Sequence, residues 1–289
     1  MGLVSKDDGW RIPDWLWERI EPLLPPPAPH RLGCHKPRVP AREAMNAILL
    51  VLRTGMRWNA LNVTGVCSSS SAHRRLQEWE RAGVLPEIWR QGLLDYDEAV
   101  GIDWAWLAAD GAMAKAPLGA LRTGPNPTDR AKGGPKRSLL VEAAGVTLGL
   151  DHEGANGNDH KLLKATLDSS PIEPPEPSEA DPQGLCLDKA YDNQGVRDLI
   201  ADYDLTPQIR ARGGEIELKQ LHPDGRARRW LVEAAHSWLN RNRAILIRWS
   251  KEDENHLALL QLASGLVAFK KAHAARLAPA LPGIGPKGR

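Results

Sequence analysis

A chain of 289 residues, 42% hydrophobic and 26% charged, has the make-up of a folded globular protein and excludes an intrinsically disordered one. Its longest apolar run, around residues 47–52, falls far short of a bilayer span, and MGLVSKDDGW has no basic stretch leading into an apolar one, so a cytoplasmic address without a membrane partner is expected. The net charge of +2 is too small to announce a polyanionic partner by itself.

Residues 12–24 (IPDWLWERIEPLL) read as a short amphipathic helix with Pro13 in its first turn, stopped by Pro25, Pro26 and Pro27. In PAREAMNAILLVLRTG, Ala44, Ala47, Ile48, Val51 and Leu52 recur at helical spacing and Gly55 ends the run. A short helix or turn is expected over 58–66, and the serines at 68–71 offer N-caps for a helix running through AHRRLQEWERAG to Gly83. The polar face of that helix carries His73, Arg74 and Glu78, and its apolar side Leu76 and Trp79. Helix, turn and capped helix with basic residues in the first turns is the outline of a helix-turn-helix DNA reader, an outline that plain three-helix bundles share.

From Gly101 the pattern becomes that of strands. IDWAWLAAD alternates Ile102, Trp104, Trp106 and Ala108 on one face and ends at Asp110, while RSLLVEAAG and VTLGLDHEG form a hairpin turning at Gly145. A helix at 160–167, a Pro-rich acidic loop at 171–182, the strand GLCLD ending on Asp188, a helix over 193–203 and the strand LTPQIRAR follow. Two helices, 227–243 and 252–276, complete the order, and LPGIGPKGR reads as a loose tail. The prediction is an α/β fold, a mixed sheet flanked by helices (99–277), behind an all-helical DNA-binding domain (1–98) and before a flexible tail (278–289).

The three cysteines, Cys34, Cys67 and Cys186, are scattered and read as reduced thiols, and His30, Cys34 and His35 make half a zinc pattern with no second half. Eleven tryptophans against one Phe and three Tyr are expected mainly to fill the core, although Trp230 and Trp238 could stack on splayed bases. Charge is segregated: residues 113–140 carry six bases against one acid and 205–250 nine against four, whereas 151–204 hold thirteen acids against four bases. That layout suits a polyanion groove beside a cation-binding pocket. Asp110 and Asp188 each close an apolar strand, where a carboxylate is expensive unless something cationic meets it. On the helix that follows, Arg229, Asn240, Glu233, Arg226 and Ser237 fall within about 80° of arc, opposite a greasy face of Leu231, Ala235, Trp238 and Leu239.

The segments AADGAMAKAPLG, GPNPTDRAKGGPKRSLLVE, LCLDKAYDN and RRWLVEAAHSWLNRNR resemble the DDE transposases of bacterial insertion sequences, specifically the insertion-sequence-five group. WERIEPLLPPP, REAMNAILLVLRTGMRW and SSSSAHRRLQEW resemble the DNA-binding region of the same group, so the likeness spans roughly residues 10–270. It implies a ribonuclease-H-like catalytic fold with Asp110, Asp188 and Glu233 as the catalytic, metal-holding triad. The group's helix signature is Tyr, two residues, Arg, three, Glu, six, Lys; Arg229 and Glu233 match it, Arg226 stands in the Tyr place and Asn240 in the Lys place.

The expected activity is binding of the element's inverted-repeat ends, hydrolysis of phosphodiester bonds with two Mg²⁺ or Mn²⁺ ions, and transfer of the 3′-hydroxyl ends into target DNA. Asp110 is the expected bridge between the ions, with Asp188 and Glu233 completing the two spheres. Double-stranded DNA is the expected partner, contacted by His73 and Arg74 at the ends and by Lys115, Arg122, Lys132, Lys136, Arg137, Arg226, Arg229 and Asn240 around the pocket. A homodimer in the active complex and association with the nucleoid go with that reading. The alternatives are a ribonuclease-H-like nuclease that cuts without joining and an inactive DNA-binding derivative.

Overall fold

A computed structural model of the chain describes residues 10–26, 38–126, 132–209 and 230–278. The N-terminal part is helical: α1 (Asp14–Ile20), α2 (Ala41–Thr54), a 3₁₀ turn (Trp58–Val63), α3 (Ser69–Arg81) and α4 (Val84–Ala99). Pro40 precedes α2, and Gly55, left-handed at φ 66°, ends it as the sequence predicts. Ser68 caps α3, its side chain accepting the Ser71 N–H. Helix α4 has no counterpart among the sequence expectations. It forms in VLPEIWRQGLLDYDEA because Pro86 sits in the first turn, where no intrahelical N–H is missed.

The sheet has six strands: β1 (Trp106–Met113), β2 (Gly124–Pro125), β3 (Gly133–Val141), β4 (Thr147–Gly154), β5 (Gly184–Leu187) and β6 (Thr206–Ile209). Its spine runs β4-β3-β1-β5-β6, with β2 paired to the start of β3. The β4-β3-β1 meander is antiparallel, and β5 and β6 run parallel to β1. This mixed order is that of a ribonuclease-H-like sheet, as the resemblance implied. The hairpin turns at Gly145 (φ 77°), and Glu142 stiffens it by accepting N–H groups from Val146 (2.8 Å) and Ala144 (2.9 Å). Helices α5 (Asp159–Asp168), α6 (Gln194–Ala201), α7 (Trp230–Asn240), the short α8 (Arg243–Leu246) and the long α9 (Asp253–Leu277) flank the sheet.

One correction concerns the first strand. It begins at Trp106 rather than Ile102 and runs three residues beyond Asp110, because Gly111, Ala112 and Met113 continue pairing with Ser138, Arg137 and Lys136 of β3. Asp110 therefore lies inside a strand. Asp188 does lie at a strand end, immediately after β5.

A single cluster of buried side chains runs from Ile12 and Leu16 through Ile48, Trp79 and Trp89 to Leu139, Leu185, Val232 and Phe269. The helical region and the sheet thus share one core. The joint is α4 against α9, packed so closely that a Cβ on Gly92 would lie 2.8 Å from the Gly265 carbonyl oxygen, and one on Gly265 would lie 2.9 Å from the Trp89 Cα. Trp89 adds a hydrogen bond from Nε1 to the Thr147 carbonyl of β4 at 3.0 Å. At the same joint the buried Asp95 carboxylate on α4 takes Arg276 from α9 (2.7 Å) and Arg19 from α1 (3.0 Å). Trp17, Trp79 and Trp89 are buried as expected, while Trp10, Trp230 and Trp249 stand about half exposed. Among the described residues no helix is long and apolar enough to cross a membrane.

Candidate active site

The register of the parallel pair brings two of the three expected acids together. Ala108 of β1 pairs with Cys186 of β5. Two residues further along each chain, on the same side of the sheet, Asp110 stands level with Asp188. Neighbouring strands lie about 4.8 Å apart, so the two side chains leave the sheet side by side. Both residues are half-buried. The Asp110 carboxylate accepts the Gly111 N–H at 2.8 Å, and Asp188 caps the turn Lys189–Tyr191 by accepting the Lys189 N–H at 2.5 Å.

Alternation along the strands sends Asp110 and Arg137 to the face covered by α7, and Gly111 and Lys136 to the opposite face, where α5 begins. On the α5 side Lys136 is buried and pairs with Asp159 at 2.5 Å. The phenol of Tyr191 is buried there too, and burial, then the charges of Asp159, Asp110 and Asp188, hold its proton on far above the ordinary range. Its oxygen lies 3.7 Å from where a Gly111 Cβ would sit. One phenol thus registers the field of three carboxylates gathered at this end of the sheet.

On the other face α7 packs against β1 and β3. Leu231, Val232, Ala235, His236 and Leu239 face inward, and Glu233 is exposed, as the helix arc anticipated. His236 is the residue that sequence reasoning overlooked. Its Nε2 lies 3.3 Å from the Asp110 carbonyl oxygen and its Nδ1 lies 3.1 Å from Arg137 Nη2. The same Nη2 donates to Asn240 Oδ1 at 3.1 Å. Burial, then the neighbouring Arg137 guanidinium, pushes the His236 imidazole down to about 3, so the ring is neutral at ordinary pH. Burial alone lowers Arg137 to about 10, which leaves it a cation. Glu233 lies one turn before His236 on this helix, and residues three apart on a helix are neighbours. The signal available in the sequence was a histidine three places after an acid on an otherwise apolar face.

The expected DNA contacts divide. Arg74, Lys115 and Lys132 are exposed. His73 is half-buried, edge-on to Trp58 at 4.9 Å, and burial lowers its pKa. Glu78, on the same face of α3, is held by both terminal nitrogens of Arg38. Arg122 is exposed but engaged by Asp151 (3.1 Å) and Asp253 (3.4 Å). Lys136, Arg137 and Asn240 are turned to the interactions given above. Arg226 and Arg229 lie outside the described residues, as do His30, Cys34, His35 and the tail from residue 279. A cleft of about 640 Å³ opens between the two regions, lined by Arg57, Trp58, His73, Trp249 and Lys251 among others. Asp253 also anchors a buried group, taking His152 at 2.7 Å and Arg248 at 3.1 Å.

Among the described residues no group of three or more His, Cys, Asp or Glu side chains is gathered tightly enough to hold a metal ion. What stands level is a pair of carboxylates, hard oxygen donors of the kind a magnesium-sized ion accepts along with water, and a third carboxylate is carried by the helix packed on the same strand. The chemistry of that donor set fits a hard divalent cation.

A family model of putative transposases of the IS4/5 family matches residues 12–89, and one of the transposase DDE domain matches residues 107–267. A putative transposase for insertion sequence element IS402 from Burkholderia cepacia is 33% identical over 158 residues, 52% of this chain and 70% of that protein. An uncharacterized 16.2 kDa protein of the same element and organism is 38% identical over 119 residues, 40% of this chain and 80% of that one. Among solved structures, the catalytic domain of the Mos1 mariner transposase covers 68% of this chain and 94% of its own at 11% identity and a TM-score of 0.28, an overlap too low to bear on the site. Two matched regions, in order and together spanning most of the sequence, settle the membership: the chain belongs to the DDE transposases of the IS4/5 family, enzymes that cut and rejoin DNA.

Proposed function

We propose that the chain binds the inverted-repeat ends of its own mobile element, cleaves them by two-metal hydrolysis and joins the freed ends to target DNA, with Asp110, Asp188 and Glu233 as the residues that do the chemistry. The observation that carries the reading is the level placement of Asp110 and Asp188 on adjacent parallel strands, beneath the helix that bears Glu233. Residues 1–98 would serve end-binding and residues 99–277 catalysis, with Arg74 on the exposed face of α3 and Lys115 and Lys132 beside the sheet holding phosphates.

Asp110, Asp188 and Glu233 would hold the ions, Mg²⁺ or Mn²⁺. When bound, such a pair supplies Lewis acidity toward the attacking and leaving oxygens of a phosphodiester. The residues of this chain set the geometry. Asp110 within β1 and Asp188 just past β5 would form the base, the Gly111 and Lys189 N–H groups orient them, and α7, packed on β1, carries Glu233. In the first step water forms a bond to phosphorus and the P–O3′ bond breaks, leaving a 3′-hydroxyl on the element and a 5′-phosphate on the flank. In the second, that hydroxyl forms the new P–O bond in target DNA and displaces the target's own 3′-oxygen. The active complex would be a homodimer, one chain for each end.

The test neutralises one carboxyl at a time. Asp110→Asn, Asp188→Asn and Glu233→Gln should each abolish cleavage of an oligonucleotide bearing the element's terminal repeat and leave its binding intact. Undiminished cutting by any of the three overturns the assignment. Joined products from the unaltered protein separate a transposase from a nuclease that only cuts.

A further inference from the structure

We propose that His236 is a positioning residue for the catalytic sheet, holding the main chain of Asp110 in place and setting Glu233 over it, and that Arg137 is the group that keeps His236 in that role. The inference rests on the reading of Asp110 and Glu233 as ion-holding residues.

The chemistry of the contacts fixes which way the ring works. A guanidinium only donates hydrogen bonds, so at 3.1 Å from Arg137 Nη2 the His236 Nδ1 must accept. The neutral ring then carries its hydrogen on Nε2, which points at the Asp110 carbonyl oxygen 3.3 Å away. Arg137 is 4% exposed and His236 6%, so the contacts are made inside the protein. The same guanidinium holds Asn240 one turn further on, so β3 grips α7 at two successive turns while His236 fastens the helix to β1. Glu233 lies one turn on the other side of His236, so its position relative to β1 is set by that grip.

The composition of the grip argues for orientation rather than bulk stability. No carboxylate pairs with Arg137 among the described residues, its Nε has no hydrogen-bond partner, and its two acceptors are neutral. A buried cation with neutral partners is an expensive way to fasten a helix that apolar side chains would fasten more cheaply. What it gives that a leucine would not is a single tautomer and a directed N–H at the backbone of the residue that does the chemistry. Groups that orient a metal ligand from behind are worth about 10–100-fold in metal affinity.

The experiment measures Mn²⁺ binding by electron paramagnetic resonance on the full chain, with terminal-repeat DNA binding and thermal unfolding recorded alongside. His236→Phe keeps a ring and removes the Nε2–H; it should weaken Mn²⁺ binding about 10–100-fold and leave DNA binding unchanged. His236→Gln, which can still present an N–H at that reach, should recover most of the loss. Arg137→Met removes a buried cation and is expected to fold, so it carries the test if His236→Phe does not; with the tautomer no longer fixed, Mn²⁺ binding should again weaken. Asp110→Asn is the reference. If it loses Mn²⁺ while His236→Phe and Arg137→Met bind as the parent does, the positioning role is overturned and the reading of the site stands. If Asp110→Asn itself binds Mn²⁺ undiminished, the reading of the site falls first.

Discussion

Acid should loosen this fold through its buried, neutral histidines. His236 is pushed down to about 3, and His256, 2% exposed on α9, is lowered well below its ordinary value by burial first and then by His152 and the nearby arginines. In the unfolded chain both imidazoles take up protons below about pH 6.5, whereas in the folded chain they stay neutral until far lower. The stability tied to each is therefore complete above about 6.5 and drains away as the pH falls toward the folded value. Once below 6.5 the His236 ring costs about 1.4 kcal/mol per pH unit, so at pH 5 it has withdrawn about 2 kcal/mol, and His256 adds to the loss in the same direction. Against a typical total of about 5–15 kcal/mol that is a large share. Burial favours the neutral form of Asp253, but His152, Arg248 and Arg122 outweigh it and hold its carboxyl below the ordinary range, so its own contribution is lost only further into acid. Urea titrations at pH 7.5 and 5.0, on the parent and on His236→Phe, read the difference. The parent should lose about 2 kcal/mol more between the two than the variant does. Equal losses in the two proteins would refute the account of His236 as a buried neutral ring.

Two further outcomes follow from the joint and from the surface of α3. Gly265→Ala gains about 1 kcal/mol of helix propensity but sets a Cβ 2.9 Å from the Trp89 Cα and 3.1 Å from the Ile88 carbonyl, both backbone atoms. Overpacking of that kind costs about 1–3 kcal/mol, so the variant should be net destabilised in the same urea titration, and a stabilised one would contradict the packing described. Arg74→Ala should weaken end-binding and lower the slope of log affinity against log salt by about one charge, as measured by fluorescence anisotropy across a salt series. An unchanged slope would remove Arg74 from the phosphate contacts.

Much of this fold is legible in the sequence because its patterns are local. The hairpin at Gly145, the cap at Ser68 and the stop at Gly55 are short-range turn chemistry, and the structure has each of them. Strand β1 was misplaced because the alternation of Ile102, Trp104 and Trp106 continues through a turn, while the residues that extend the strand, Gly111, Ala112 and Met113, have little strand character of their own. They are held in it by β3, a tertiary effect. Helix α4 escaped notice because a proline in its first turn reads as a break. The lysine and arginine at 136 and 137 illustrate the limit more sharply. As sequence they are two more cations in a basic stretch, and only the strand's alternation, with α5 on one side and α7 on the other, sends one to Asp159 and the other to His236. Asp110 and Asp188 stand out in the sequence because a carboxylate after an apolar run carries its desolvation problem openly.

The glycine-to-glycine crossing of α4 and α9 bears on how such an enzyme measures DNA. Because Gly92 and Gly265 bring the backbones of the two helices together where they cross, and Asp95 pins α1, α4 and α9 through two arginines, the region carrying α3 and the sheet carrying Asp110 are ends of one stiff strut. If α3 grips the terminal repeat as proposed, the distance from the bases it reads to the bond that is broken is a fixed length built into the protein, so cleavage should keep a constant offset from the recognised sequence and inserting one base pair between them should move the cut by one nucleotide.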